Sequence, residues 1–287
     1  MFRSAMVKHQ CIAVLLGVIV TAAVDTRAQA QNQLFIIGVL PNVSARVIIA
    51  NYQPMREYFQ RELKLPVEIA TAADFRAFSD TTMNGGYQMV VTAANVGRVN
   101  QIDGKWEPIA TYEPGIPALL VAAASNPDVT AGQLRGKVLA VANPQSLVVL
   151  RGLQWLREQG LEEGRDFKLT RVPNDDSLGA LIRSGEAPLA MMSMGEFRSI
   201  GEATRKELKI ATEFARVPGF LVLANPQMPK ADKDRIKNLL LKFLTTEDGK
   251  KFTALAGVAN IRELNPGELE PLDAFAAQTR AGLGMQK

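Results

Sequence analysis

The chain has one cysteine, Cys11, and one histidine, His9. Both lie near its start. There Arg3 and Lys8 give a positive beginning, an apolar run spans Cys11 to Ala23, and Ala28-Gln29-Ala30 offers the small-x-small pattern that signal peptidase cuts. Cleavage after Ala30 removes both residue types. Without Cys there is no disulfide, thiol nucleophile or thiolate metal ligand. Without His, the commonest general base and zinc ligand goes too, and Ser-His-Asp and Cys-His catalysis with it. Carboxylate or Ser-Lys chemistry remains. Asp175 or Asp176 with Glu186 is the acidic grouping open to it, yet no spacing there defines a glycosidase pair or a metal cage. The expectation is a chain with no catalytic residue, no metal and no cofactor.

Such a chain can still bind. Hydroxyls, amides and main-chain N–H groups on loops hold small molecules without a reactive side chain, and helix N-termini hold anions without Lys or His. Several residues of this kind directly follow strand-like segments: Asn42 and Ser44; Phe75; Thr92, Ala93 and Asn95; Asn143 and Ser146; Asp175; and Ser193. Each has a second reading. Asn42 and Ser44 also suit a turn and an N-cap, Phe75 suits a core, Thr92 can cap the helix after it, and Asp175 can cap a helix beginning at Ser177.

The elements that must position these residues are legible as a repeated grammar. Leu34–Leu40, Pro66–Ala70 and Met89–Thr92 read as strands. Between them, Pro54 suits the first turn of a helix carrying Met55, Tyr58, Phe59 and Leu63, and Phe75–Met83 forms a second helix stopped at Gly85-Gly86. The same order returns with strands at Lys137–Ala142, Phe167–Val172 and Leu189–Met192. Its helices run from Ser146 to Gly160 and over Ser177–Arg183. Strands alternating with helices predict parallel βαβ units and an α/β class. Ile116–Ala124 and Gly219–Ala224, each near a proline, read as two crossovers between two similar lobes, and an amphipathic helix over Asp232–Leu244 and a further segment around Lys250–Ala256 return to the first. The expected divisions are a signal peptide over 1–30, one lobe over 31–116 and 220–287, and a second over 117–219. One continuous doubly wound domain is the alternative.

Charge narrows the partners. Losing Arg3, Lys8, Arg27 and Asp25 takes three positive charges and one negative from a formal net charge of +4, leaving a nearly neutral chain with no basic stripe. No nucleic acid is expected. Beyond the leader, no stretch approaches the about 20 apolar residues that span a bilayer.

Motifs distributed along the chain resemble a known family. IGVLPN (Ile37–Asn42), YQPMREYFQREL (Tyr52–Leu63), TAADFRAF (Thr71–Phe78), YQMVVTAANVGRV (Tyr87–Val99), LRGKVLAVANPQS (Leu134–Ser146) and PGFLVLAN (Pro218–Asn225) occur in order and spacing similar to the PhnD-like periplasmic binding proteins of phosphate, phosphite and phosphonate ABC importers. The resemblance implies a two-lobed type II periplasmic binding protein fold with two hinge crossovers. It also implies a small ligand, an anion by family default, held between the lobes and passed to an ABC permease of the inner membrane by a periplasmic, monomeric carrier. It implies an aromatic wall near Phe75. This sequence departs from the family where its Ser-Thr-Ser run at a helix start is Ser146-Leu147-Val148, and where a histidine near Asp175 is absent. Those changes keep a non-phosphonate solute open, as they do a sensing role in which the closed form meets a membrane receptor.

Overall fold

The computed structural model describes residues 34–126, 129–173 and 175–285; the expected signal peptide, residues 1–30, lies outside them. The first run of elements is β1 (Phe35–Val39), α1 (Ala45–Leu63), β2 (Val67–Ala70), α2 (Phe75–Met83), β3 (Met89–Thr92), α3 (Ala94–Gly104) and β4 (Glu107–Glu113). A second run follows with β5 (Ile116–Ala123), β6 (Lys137–Val141), α4 (Leu147–Glu158), β7 (Phe167–Arg171), α5 (Asp175–Ser184), β8 (Leu189–Ser193), α6 (Met194–Ser199), α7 (Glu202–Arg205) and β9 (Leu208–Val217). The chain ends through β10 (Leu221–Ala224), α8 (Lys230–Phe243), α9 (Glu247–Ala256), β11 (Asn260–Arg262) and α10 (Ala276–Leu283).

Two sheets result. The first has the order β11-β4-β10-β3-β1-β2 and the second β7-β6-β8-β5-β9. In each, the central βαβ strands run parallel: β1 pairs with β2 and β3, and β6 with β7 and β8. An antiparallel strand from the other end of the run is inserted beside them, β10 against β3 and β5 against β8. The apolar strands Met89–Thr92 and Leu189–Ser193 are buried at every position, as central strands covered on both faces must be.

The chain changes sheet twice, through Pro114-Gly115 and through Pro218-Gly219-Phe220. The segments read as crossovers are therefore strands, β5 and β10, and the links lie at their starts. Glycine is required at both. A Cβ on Gly219 would sit 2.0 Å from the Tyr112 carbonyl oxygen, and one on Gly115 would sit 2.7 Å from that of Val217. The links are held together: the Tyr112 N–H donates to the Phe220 carbonyl at 2.8 Å, and the Arg216 guanidinium donates to the Gly115 carbonyl at 3.0 Å.

Helix α1 departs from expectation. Pro54 lies in its interior, not its first turn. Ile48, Tyr52, Met55, Tyr58 and Phe59 form a buried stripe that continues through the proline, so packing outweighs the lost backbone bond. The carbonyl that loses its donor belongs to exposed Ala50, where water can replace it. Tyr58 and Phe243 rings meet at 5.1 Å and Tyr52 and Phe252 at 5.3 Å, fixing α8 and α9 against α1.

The C-terminal α10 packs within the first half, and Asn95 of α3 beneath it carries a bond to the second. Helix α10 packs on α2 and α3, with Arg280 paired to Asp103 at 2.7 Å and Leu283 fully buried. The Asn95 amide of α3 donates both to the Thr279 hydroxyl of α10 at 3.0 Å and to the Gln145 carbonyl after β6 at 3.1 Å. A continuous apolar cluster includes Phe75 and Trp106 from the first half, Leu139 and Leu147 from the second, and Leu283.

Candidate ligand-binding cleft

In parallel α/β sheets, loops and helix starts converge beyond the carboxyl ends of the strands. Here those ends of β1, β3 and β4 and the corresponding ends of β6 and β8 border one cleft of about 800 Å³. Both sheet-changing links line it as well.

Of the residues expected to meet a ligand, Asn42, Phe75, Ala93, Asn143, Ser146 and Ser193 line this cleft. Ser44, Thr92, Asn95 and Asp175 are not among its lining residues. Ser44 is exposed before α1 and makes no side-chain cap. Thr92 is fully buried, and its hydroxyl has no hydrogen-bond partner. Asn95 spends its amide donor on Gln145 and Thr279. Asp175 accepts from the Ser199 hydroxyl. The helix expected to begin at Ser177 begins at Asp175, which puts both aspartates in its first turn, where the N-terminal dipole favours them. Asp176 accepts from the Gly201 N–H at 2.9 Å.

On the second-sheet side, helix starts are closed by their own side chains. The Ser146 hydroxyl accepts from the Val149 N–H at 3.3 Å, while Leu147 and Val148 present apolar surface to the cleft. At α6, Ser193 and Glu196 form a capping box: the Glu196 N–H donates to the Ser193 hydroxyl at 3.1 Å, and the Ser193 N–H donates to the Glu196 carboxylate at 2.7 Å. The Asn143 amide donates to the same carboxylate at 3.1 Å. Glu196 lines the cleft at 4% exposure, and burial pushes its carboxyl up. Burial, with the Glu196 charge next, raises the Asp175 carboxyl to about 7, against the lowering effect of the Ser199 hydroxyl.

On the first-sheet side α2 is closed by Asp74, which accepts from the Ala77 N–H at 2.8 Å, whereas α3 is open. Ala93 is the N-cap of α3 and offers no side-chain acceptor, so the first-turn N–H groups keep their donors. Ala93 and Ala94 both line the cleft with only methyl groups. Tyr52 and Tyr112 line it too, their buried hydroxyls beside one another, and burial raises both phenols.

Charged groups gather at the mouth. Glu113 pairs with Arg262 at 2.7 Å, and Glu213 pairs with Arg216 at 2.7 Å. Arg198 is exposed on α6, its guanidinium 3.4 Å from where a Cβ on Gly257 would lie, so it reaches from the second-sheet side toward the end of α9.

Tyr112, Glu196 and Arg198 are absent from the sequence-based candidates. Glu196 was findable, since Ser193-x-x-Glu196 is a capping-box pattern. Tyr112 and Arg198 carry no local signal, because only the sheet order brings β4 and α6 to the same opening.

A family model described as ABC transporter, phosphonate, periplasmic substrate-binding protein matches residues 37–269. No curated protein sequence matches the chain. Among solved structures, a binding-protein component of an ABC phosphonate transporter from Pseudomonas aeruginosa superposes with a TM-score of 0.76 at 12% identity, covering 88% of this chain and 89% of that one. PhnD1 from Prochlorococcus marinus, in complex with methylphosphonate, gives 0.75 at 11% identity, covering 85% and 97%. The aliphatic sulphonate-binding protein SsuA from Escherichia coli gives 0.64 at 14% identity, covering 90% and 95%. Two α/β lobes, a cleft at their strand ends and a match across most of the length therefore place this chain in the periplasmic substrate-binding family of ABC phosphonate transporters, with the type II periplasmic binding protein fold.

Proposed function

We propose that the protein captures a small solute in the cleft between its lobes, closes on it by hinge bending and delivers it to an inner-membrane ABC permease. It acts as an exported monomer, after loss of residues 1–30. The lobes are 31–116 with 220–287, and 117–219. Asn42, Phe75, Ala93, Asn143, Ser146 and Ser193 contact the solute. The observation that carries this reading is the single cleft of about 800 Å³ bordered by strand ends of both sheets and by both links between them. Among the described residues no helix is long and apolar enough to cross a membrane, consistent with a carrier that meets its permease from outside the bilayer.

A thermal-shift screen tests it, using phosphate, phosphite, alkylphosphonates, alkylsulfonates, carboxylates and amines. A true ligand at 100–1,000 times its dissociation constant adds about 3–4 kcal/mol of stability. Phe75→Ala should abolish most of that gain, on top of a loss of about 3–5 kcal/mol in the ligand-free protein because Phe75 is also a core residue. A ligand whose effect survives Phe75→Ala and Ser146→Ala together would place binding outside the cleft.

A further inference from the structure

We infer that Arg198 is a strap across the mouth of the cleft: rooted in the second lobe, it sets its guanidinium against the carbonyl end of α9 in the first and holds the lobes together over a captured solute. The inference rests on the lobes closing over this cleft.

Two arginines line the cleft, Arg198 and Arg216. Arg216 is already paired with Glu213 at 2.7 Å, whereas no acid pairs with Arg198 among the described residues. Its guanidinium reaches the opposite lobe instead, 3.4 Å from where a Cβ on Gly257 would lie. A long side chain that spans an opening gives up rotamer freedom, and a contact at its far end must offset that cost.

The far end suits a cation. Helix α9 stops at Gly257, whose backbone is left-handed at φ 70° and whose N–H donates to the Thr253 carbonyl at 2.9 Å. The carbonyls of Ala254, Leu255 and Ala256 then have no donor within the helix. They form the negative end of its dipole, and α9 carries no basic residue of its own in its last turn. Those three residues and Gly257 all line the cleft, so the cation that complements this helix end comes from across the opening.

The near end is braced. Helix α6 is fixed at its start by the Ser193–Glu196 capping box. Just past its end, the Gly201 N–H donates to Asp176 at 2.9 Å. The Arg205 guanidinium donates to the Arg198 carbonyl at 2.6 Å and to the Ile200 carbonyl at 3.0 Å. The Arg198 backbone therefore travels with the second lobe, while its exposed side chain engages α9 only when the lobes are close. Unlike the two links, which are continuous chain, this contact can be made and broken on each cycle.

Single-molecule energy transfer on the ligand-free, leader-free protein tests this, with dyes at Glu57→Cys on the first lobe and Lys168→Cys on the second. Arg198→Ala should raise the ratio of open to closed molecules about two- to fivefold, the range for a cation at a helix C-terminus. Arg198→Lys should retain part of the closure. Arg198→Glu sets negative charge against the carbonyls and should open the lobes further than Arg198→Ala does. Leu255→Lys, at an exposed position in the last turn of α9, should open the parent by repelling Arg198 yet close the Arg198→Glu protein. Salt at about 1 M should open the parent and leave Arg198→Ala unchanged. Thermal midpoints should stay near the parent's, because both substituted positions are exposed.

Equal distributions in the parent and Arg198→Ala, an Arg198→Glu protein no more open than Arg198→Ala, or a Leu255→Lys change that fails to close it overturns the inference. If Arg198 variants change nothing while a solute's thermal shift is lost in Phe75→Ala, the strap falls and the cleft reading stands. If Arg198→Ala opens the lobes while no solute shifts the midpoint, the strap stands and the binding reading falls.

Discussion

Asp175 and Glu196 put two carboxyls into one buried corner of the second lobe, and the energetic consequence depends on pH. The native state holds the Asp175 proton up to about 7, whereas an unfolded chain releases it near the ordinary aspartate value of about 3.9. Between those limits the native state binds more protons, so stability falls as pH rises, and the full penalty applies above about pH 7. Asp175→Asn removes it. The variant should be more stable than the parent by on the order of 2 kcal/mol at pH 8, with the difference fading toward pH 4. Urea unfolding at four pH values checks this, and a difference that grows toward acid would refute the assignment. Residue-level legibility divides along the same line. Asn42, Phe75, Asn143 and Ser193 could be named because each lies at a strand end or in the short stretch after one, and a strand end is visible in sequence. That Thr92 is sealed from the cleft while its neighbour Ala93 lines it could not be named. One residue reverses the direction of a side chain, and local sequence does not fix that direction.

At the scale of elements, short apolar runs bounded by turn residues were the clearest signal. Phe75–Met83 and Met89–Thr92 fall where periodicity and the Gly85-Gly86 breaker put them. The start of α1 did not, because Pro54 suits a first turn and was set above the N-cap reading of Ser44, and the buried stripe is only apparent once α8 and α9 cover it. β4 and β9 were missed for a related reason. Their partners, β10 and β5, are distant in sequence, and mixed burial blurs their alternation. The links make a sharper test. Gly219→Ala would bring a Cβ to 2.0 Å from the Tyr112 carbonyl, a backbone atom that cannot swing aside. It should cost about 2–3 kcal/mol, as overpacked sites do, measured as a drop in thermal midpoint. Gly160→Ala, where a Cβ would meet nothing within 4 Å but φ is +72°, isolates the cost of backbone conformation alone. If the two losses were equal, contact with Tyr112 would have no part in it.

For the whole molecule, two lobes were readable because the same element order occurs twice. The polar bond between them was not, since Asn95 and Gln145 are 50 positions apart and a side-chain amide meeting a main-chain carbonyl leaves no local pattern. Asn95→Ala breaks the bonds to Thr279 and Gln145 together, at an expected cost of about 1–3 kcal/mol. It should also broaden the distance distribution between dyes at Glu57→Cys and Lys168→Cys, exposed positions on the two lobes. A narrower or unchanged distribution, read by single-molecule energy transfer on the leader-free protein, would show that Asn95 does not restrain the lobes.

The two links are stitched side by side, by Tyr112 to Phe220 and by Arg216 to Gly115, with Ile116 in register with Val217. They behave as a two-ply ribbon. In the proposed carrier such a ribbon favours face-to-face closure of the lobes over sliding. A solute trapped by that motion meets the same opposing walls on every cycle, and discrimination between solutes becomes a matter of wall chemistry alone.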